Sequence, residues 1–338
     1  MAQLRAVTFN IHCGINQEED AYSLERIGRS AMAADPHLLC IQEVERSDAE
    51  GQRTRKWSWS HSDDQVARLA EITGLRHTLW APALHRVSFS PSKSGDTRPE
   101  GDRSDEGLEE EVLDRGGQGD YGVAILSALP FEETRQLSFT TPTLPSSDTL
   151  IYMDREQQPR GAAAARIRPE GGPPTWIVTT HLSHKSGTEE QRRQAQELCA
   201  WCDELRAEGA AVILCGDMNS SPQSAKPGAW SVIAEAGWQD AWVLAHGEGA
   251  AAEGLTCPSQ NPRSRIDQFF VCAAAFPRPP PTQQADDLPV CGRPEGQEGL
   301  SVRDVQVIGS EDPHASDHLP VLLTADLSSE DGEDAQRL

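Results

Sequence analysis

The chain has 338 residues, 30 basic against 53 acidic, and a formal net charge of −23. No stretch approaches the roughly 18 uninterrupted apolar residues of a membrane-spanning helix, and the length is far beyond a disulfide-stapled small domain. The acidity disfavours a generic nucleic-acid wrapper, which needs a basic surface to neutralise phosphates, and a charged fraction of 25% is ordinary for a folded chain.

In chain order, apolar runs rich in β-branched residues predict strands at 4–9, 38–42, 122–126, 163–167, 176–180, 211–215, 266–271 and 319–324. These runs are mostly continuous rather than alternating, which is the pattern of strands covered on both faces. Helical spacing of Leu24, Ile27, Ala31 and Ala34 predicts a helix stopped by Asp35-Pro36. Further helices are expected at 65–73, 188–206 and 230–236. Interleaved strands and helices without a linker predict sheets covered by each other on one side and by helices on the other. The expectation is one α/β domain over 1–327, with flexible insertions near 90–119 (acid-rich) and 277–299 (rich in Pro and Gly) and a disordered acidic tail at 328–338.

The first residues show no secretory pattern, so a cytoplasmic or nuclear location is expected. Eight cysteines occur, at 13, 40, 199, 202, 215, 257, 272 and 291, mostly inside apolar runs, which points to buried reduced thiols. Cys199 and Cys202 form a C-x-x-C on an amphipathic helix, and without a second such pair they are expected to pack rather than bind zinc.

Polar residues at the ends of apolar strands are the informative ones, because strand ends present sites. Six such places occur in order: Asn10 with His12, Gln42-Glu43, His181, Asp217 with Asn219, Asp267, and Asp317-His318. Each alone fits turn or core chemistry. Carboxylates and amides together suit a hard, oxygen-preferring cation such as magnesium or manganese, and adjacent histidines suit proton transfer at a phosphoester.

This series of segments resembles the motifs of the endonuclease/exonuclease/phosphatase superfamily, from about residue 4 to residue 324. Tyr121–Ser127 and Pro159-Arg160-Gly161-Ala162 resemble segments of that group too. The resemblance implies a four-layer α/β sandwich, two packed mixed β-sheets flanked by helices. It implies a magnesium-dependent (or manganese-dependent) phosphoester hydrolase, acting by attack of water. Glu43 resembles the principal metal ligand, with Asn10 beside it, and Asp217 and Asp317 resemble further metal-site carboxylates. Asp217 and Asn219 resemble the pair that orients water and contacts phosphate. His181 resembles the histidine that donates to the phosphate, His318 the second catalytic histidine, and Asp267 the carboxylate that orients it. Arg160 is expected to clamp phosphate, and Asp120 and Tyr121 to support the site.

The residue after Asp267 is Gln268, where the group commonly has an aromatic. Substrate is open among a small-molecule phosphoester, a lipid headgroup and nucleic acid, as is oligomeric state. A nuclease needs a basic or aromatic track, for which Arg53, Arg55, Lys56, Trp57 and Trp59 are the candidates. The acidity favours smaller phosphoesters, and a phosphodiesterase is the expected activity. The competing class is a non-catalytic interaction protein retaining the fold. The full set of site residues argues for an enzyme.

Overall fold

The computed structural model describes residues 2–18, 21–47, 64–84, 119–141, 159–272 and 299–328. Its strands are β1 (Ala2–Asn10), β2 (Leu38–Ser47), β3 (His77–Leu84), β4 (Gly119–Ser127), β5 (Phe131–Ser138), β6 (Gly161–Ile167), β7 (Thr175–His181), β8 (Ala211–Asp217), β9 (Gln239–Asp240), β10 (Asp267–Cys272), β11 (Leu300–Val307) and β12 (Val321–Leu327). Its α-helices are α1 (Leu24–Met32), α2 (Gln65–Thr73), α3 (Glu189–Arg206), α4 (Ala229–Glu235) and α5 (Ala241–His246).

The strands form two six-stranded mixed sheets, ordered β11-β12-β1-β2-β4-β3 and β5-β6-β7-β8-β10-β9. Each sheet has one parallel pair at its centre, β1–β2 in the first and β7–β8 in the second. A helix crosses between the partners, α1 for the first pair and α3 for the second, as parallel strands require. Both helices start at a side-chain cap, Ser23 Oγ taking the Arg26 N–H and Thr188 Oγ1 taking the Gln191 N–H.

Three apolar clusters make the four layers. Leu38, Ile125, Ile177, Ile213 and Leu323 meet between the sheets. Ile27, Ala31 and Leu69 cover the outer face of the first sheet, and Leu198, Cys202 and Leu205 that of the second. Full burial of such side chains stabilises by about 1.5–3 kcal/mol each. The four-layer α/β sandwich is therefore the architecture the family resemblance implied, with the sheets covered as the strand pattern predicts. Cys199 and Cys202 are buried on α3 as reduced thiols, and Cys40, hydrogen-bonded to Cys215 between the sheets, holds its proton well above the usual thiol range.

Several elements differ from expectation. β3, β5, β9, β11 and α5 were not predicted, and β12 starts at Val321, because Pro320 has no N–H for the ladder. Ser328, expected to open the frayed tail, instead donates its N–H to the Gly299 carbonyl at 3.1 Å. The insertion near 90–119 lies outside the described residues except Gly119, which opens β4, and 277–298 and 329–338 lie outside them too. No helix among the described residues is long and apolar enough to cross a membrane.

Candidate active site

The four strands of the two parallel pairs run in the same sense within each pair, so their C-terminal ends fall together. Asn10 closes β1 beside Gln42 of β2, and His181 closes β7 directly opposite Asp217, which closes β8. Asp267 opens the antiparallel β10 at the same level, opposite Asp217. Asn10 Nδ2 donates to Asp217 Oδ2 at 3.0 Å, joining the two sheets at this edge. Below it Gln42 Nε2 bridges Thr8 Oγ1 at 3.1 Å and Thr179 Oγ1 at 2.9 Å, a second polar tie between the sheets.

Backbone strain gathers here. Among the described residues, His12, Cys13, Glu43 and Asn219 have positive φ (45°, 54°, 56° and 47°), and Asp35 is the only other non-glycine that does. Such conformations cost of order 1–3 kcal/mol and persist where the surroundings hold them, characteristically at functional sites. Glu43 sits on an irregularity in the β2–β4 ladder between Ile41 and Val44, which turns its carboxylate to the edge. Gly216, just before Asp217, has φ 138°, and a Cβ there would lie 2.0 Å from the Thr180 carbonyl. No other residue fits that approach of β8 to β7.

Buried glutamines brace the loops, because one amide can both donate and accept. Gln191 on α3 donates from Nε2 to the carbonyls of Ser183 (2.8 Å), Met218 (3.2 Å) and Asn219 (2.9 Å). Its Oε1 accepts the N–H groups of Gly187 at 3.0 Å and Ala229 at 3.2 Å. It thus pins the loops after both His181 and Asp217. Gln65 on α2 joins the Cys13 carbonyl (2.7 Å) to the Glu45 N–H (2.8 Å), holding the turn after Asn10 against the Glu43 bulge. Gln268, in the expected aromatic position, donates to the carbonyls of Ser220 and Arg265 at 2.9 and 2.6 Å, so it braces rather than stacks. Replacing Gln191 with leucine strips partners from these buried backbone groups. A loss of about 3 kcal/mol of stability is expected, read by chemical denaturation. A loss under about 0.5 kcal/mol would show that the loops hold themselves.

Around Asp217 Oδ2 lie His181 Nε2 at 3.4 Å, His318 Nε2 at 3.9 Å and Asn219 Nδ2 at 3.4 Å. Glu43 Oε1 is 3.9 Å from His181 Nε2. His318 Nδ1 is 2.8 Å from Asp267 Oδ2, which also accepts Thr256 Oγ1 at 2.5 Å. Asp317 Oδ1 is 4.0 Å from His318 Nε2, so this carboxylate flanks the histidine at the rim. Arg160 is buried, with Nη1 2.7 Å from His181 Nδ1 and 3.5 Å from Tyr121 Oη. Asp120 stands opposite Arg46 in the β2–β4 ladder. The track of Arg53, Arg55, Lys56, Trp57 and Trp59 lies outside the described residues.

Burial raises the Asp217 carboxyl from its ordinary 3.8 to about 7, with Asp267 adding to the rise and His318, Asn10 and Asn219 opposing it. For His318 burial works against the charged ring, but the carboxylates of Asp267 and Asp317 outweigh it and hold the imidazolium well above 6.5. Both groups are raised, so each contributes stability at low pH that is lost as pH rises through its folded value. The cation-free protein is therefore expected to melt lower at pH ~8 than at pH ~6, and a divalent cation to raise the melting temperature more at the higher pH. Scanning fluorimetry with chelator and with magnesium measures this. A larger cation shift at the lower pH contradicts the carboxylate assignment.

The donor set suits a hard cation. Glu43 and Asp217 offer carboxylate oxygens from opposite sheets, and burial pushes the Asp217 carboxyl up despite the neighbouring His318. Asp267 Oδ1 is buried without a hydrogen-bond partner, as a site short of one positive group would leave it. Asp217, Asp267 and His318 offer ligand atoms within 4.8 Å of one another. Two thiols approach, Cys13 Sγ at 3.9 Å from Glu43 Oε2 and Cys257 hydrogen-bonded to His318. Burial pushes the Cys257 thiol up, and the ligand atoms grouped by Asp217, Asp267 and His318 are oxygen and imidazole. Asn10 turns Nδ2 toward the carboxylates while its Oδ1 takes the His12 N–H at 3.1 Å. In this orientation it is a donor to the ligands, and it would become a ligand by turning its amide over.

The structure thus gathers Asn10, Glu43, His181, Asp217, Asn219, Asp267, Asp317 and His318 at one edge. Gln65, Gln191 and Thr256 were not foreseen. Their signal is faint, since each is a polar residue inside a helix or loop whose partners lie elsewhere in the chain.

Residues 7–318 match the model of the Endonuclease/Exonuclease/phosphatase family. Comparison with curated proteins finds no match. Among solved structures, an endonuclease/exonuclease/phosphatase from Beutenbergia cavernae superposes with a TM-score of 0.63 at 20% identity, covering 97% of this chain and 72% of the other. The Bacteroides thetaiotaomicron mannosyl-6-phosphatase gives 0.56 at 15% identity, covering 96% of this chain and 100% of that one. The human Nocturnin catalytic domain gives 0.54 at 16% identity, with 97% and 94% covered. These likenesses are of fold, while the family match spans nearly the whole chain. The chain belongs to the endonuclease/exonuclease/phosphatase family and is a hydrolase of phosphoester bonds.

Proposed function

We propose that the protein is a magnesium-dependent phosphodiesterase, with manganese as an alternative cation, working at the Glu43–Asp217–His318 edge. The supporting observation is one carboxylate oxygen, Asp217 Oδ2, ringed at 3.4–3.9 Å by His181, His318 and Asn219, with Glu43 adjoining. Glu43 and Asp217 would hold the cation, with Asn10 and Asp317 as further oxygen donors. When bound, the cation polarises the phosphoryl oxygens and offsets the charge that develops on them. Asp217 and Asn219 position the attacking water, and Asp217 takes its proton. His181 donates from Nε2 to a phosphoryl oxygen. His318, oriented by Asp267 through Nδ1, supplies a proton toward the leaving side.

The net charge of −23 favours a small or lipid-headgroup phosphodiester over a long polyanion. A panel of an aryl phosphodiester, an aryl phosphomonoester, sphingomyelin, phosphoinositides and single-stranded DNA and RNA tests this. A small or lipid diester hydrolysed fastest, with loss in His318→Asn, supports the reading. Preference for a nucleic acid or a monoester overturns the substrate assignment.

A further inference from the structure

We infer that Arg160 is a positioning residue whose guanidinium commits His181 to the tautomer with its proton on Nε2. The inference deepens the reading above, in which His181 donates to the phosphate, and rests on it for its catalytic meaning.

A guanidinium carries only N–H donors and keeps its charge at all working pH values. Arg160 Nη1 lies 2.7 Å from His181 Nδ1, so Nδ1 must accept and cannot hold a proton in this arrangement. The Tyr121 hydroxyl, 3.5 Å from the same nitrogen, can donate as well. The ring proton is then on Nε2, which faces carboxylates, Asp217 Oδ2 at 3.4 Å and Glu43 Oε1 at 3.9 Å. His318 is wired in the opposite way. Its Nδ1 faces the Asp267 carboxylate at 2.8 Å and must donate, which leaves Nε2 to exchange a proton. Two histidines of one site are thereby given different jobs by their outer partners, a guanidinium for one and a carboxylate for the other. His181 thereby presents its Nε2–H as a donor toward the site.

Burial favours this role over the direct phosphate clamp that the sequence suggested. Arg160 is only 4% exposed, and its Nη1 is engaged by His181 Nδ1 at 2.7 Å.

The test is a long-range proton–nitrogen spectrum of histidine rings in the ¹⁵N-labelled, cation-free full chain at about pH 8, above the ordinary histidine range. The His181 ring is identified by its loss in His181→Gln. The expected wild-type pattern has a protonated Nε2 and a bare Nδ1. Arg160→Met is expected to convert the ring to the Nδ1-protonated form or a mixture, and Arg160→Lys, which still donates, to retain it. On the best substrate of the panel, kcat of Arg160→Met should fall by roughly tenfold or more with KM nearly unchanged, and Arg160→Lys should recover most of it. A protonated Nδ1 in the wild type overturns the inference, as does an unchanged ring in Arg160→Met or a loss carried by KM alone. If Arg160→Met does not fold, the wild-type and Arg160→Lys spectra still decide. A chain that hydrolyses nothing would sink the proposed function while leaving the ring reading intact.

Discussion

His318→Asn is expected to lower kcat by about 100-fold to 10,000-fold, the span that a positioned proton-transfer group supplies. His318 is buried and held by a short chain, Thr256 Oγ1 donating to Asp267 Oδ2 at 2.5 Å and that oxygen facing His318 Nδ1 at 2.8 Å. Among the described residues, nothing else near Asp217 Oδ2 combines an exchangeable proton with a carboxylate behind it. Asparagine preserves a donor toward Asp267, which would otherwise be left as a buried unpaired charge. The melting temperature is therefore expected to stay within a few degrees while activity is lost. Asp267→Asn should lose nearly as much, because an amide there orients the ring without stabilising its charge. A His318→Asn enzyme with more than about a tenth of wild-type kcat would remove this residue from the chemistry.

Glu43→Gln is expected to weaken magnesium by at least about tenfold and to lower activity at sub-saturating cation by about 100-fold. The side chain is presented on a ladder irregularity with φ 56°, a conformation retained only because Gln65 and the β2–β4 pairing hold the bulge. Glutamine keeps the shape and removes the charge, so the backbone should be undisturbed. Calorimetric titration with magnesium reads the affinity, and activity against cation concentration reads the consequence. Partial recovery at high magnesium is expected. Unchanged affinity would move the cation away from Glu43.

The strands legible in the sequence are those buried on both faces. β1, β2, β7 and β8 are near-continuous apolar runs because each is covered by the other sheet and by helices. These same strands carry Asn10, Glu43, His181 and Asp217, which is why the site was legible with them. The edges were not. β5 alternates in exposure with Glu133 and Arg135 on its less exposed face, and Arg135 covers the Trp176 ring at 4.9 Å, so neither face shows an apolar pattern. β3 contains Pro82, tolerated because β3 is an edge strand with a ladder irregularity between Pro82 and Leu84. In β11 an irregularity between Val302 and Asp304 shifts the period-two pattern midway. Within the site, residue types at strand ends announced the chemistry. The jobs of the two histidines did not show, because they depend on Arg160 and Asp267, partners 21 and 51 residues away in sequence. The bracing glutamines were equally hidden, since Gln191 on α3 has the sequence appearance of a solvated polar residue and lies fully buried.

On the proposed reading, this edge hydrolyses phosphodiesters through a cation held by Glu43 and Asp217. The most direct measurement is the rate on an aryl phosphodiester with the full chain first stripped by EDTA and then titrated with magnesium, wild type beside His318→Asn. The account predicts no turnover after stripping, saturable recovery with magnesium in the wild type, and none in the variant. A rate indifferent to stripping would contradict the cation, an equal rate in the variant would contradict the site, and magnesium binding without turnover of any phosphoester would leave a folded, non-catalytic binding protein.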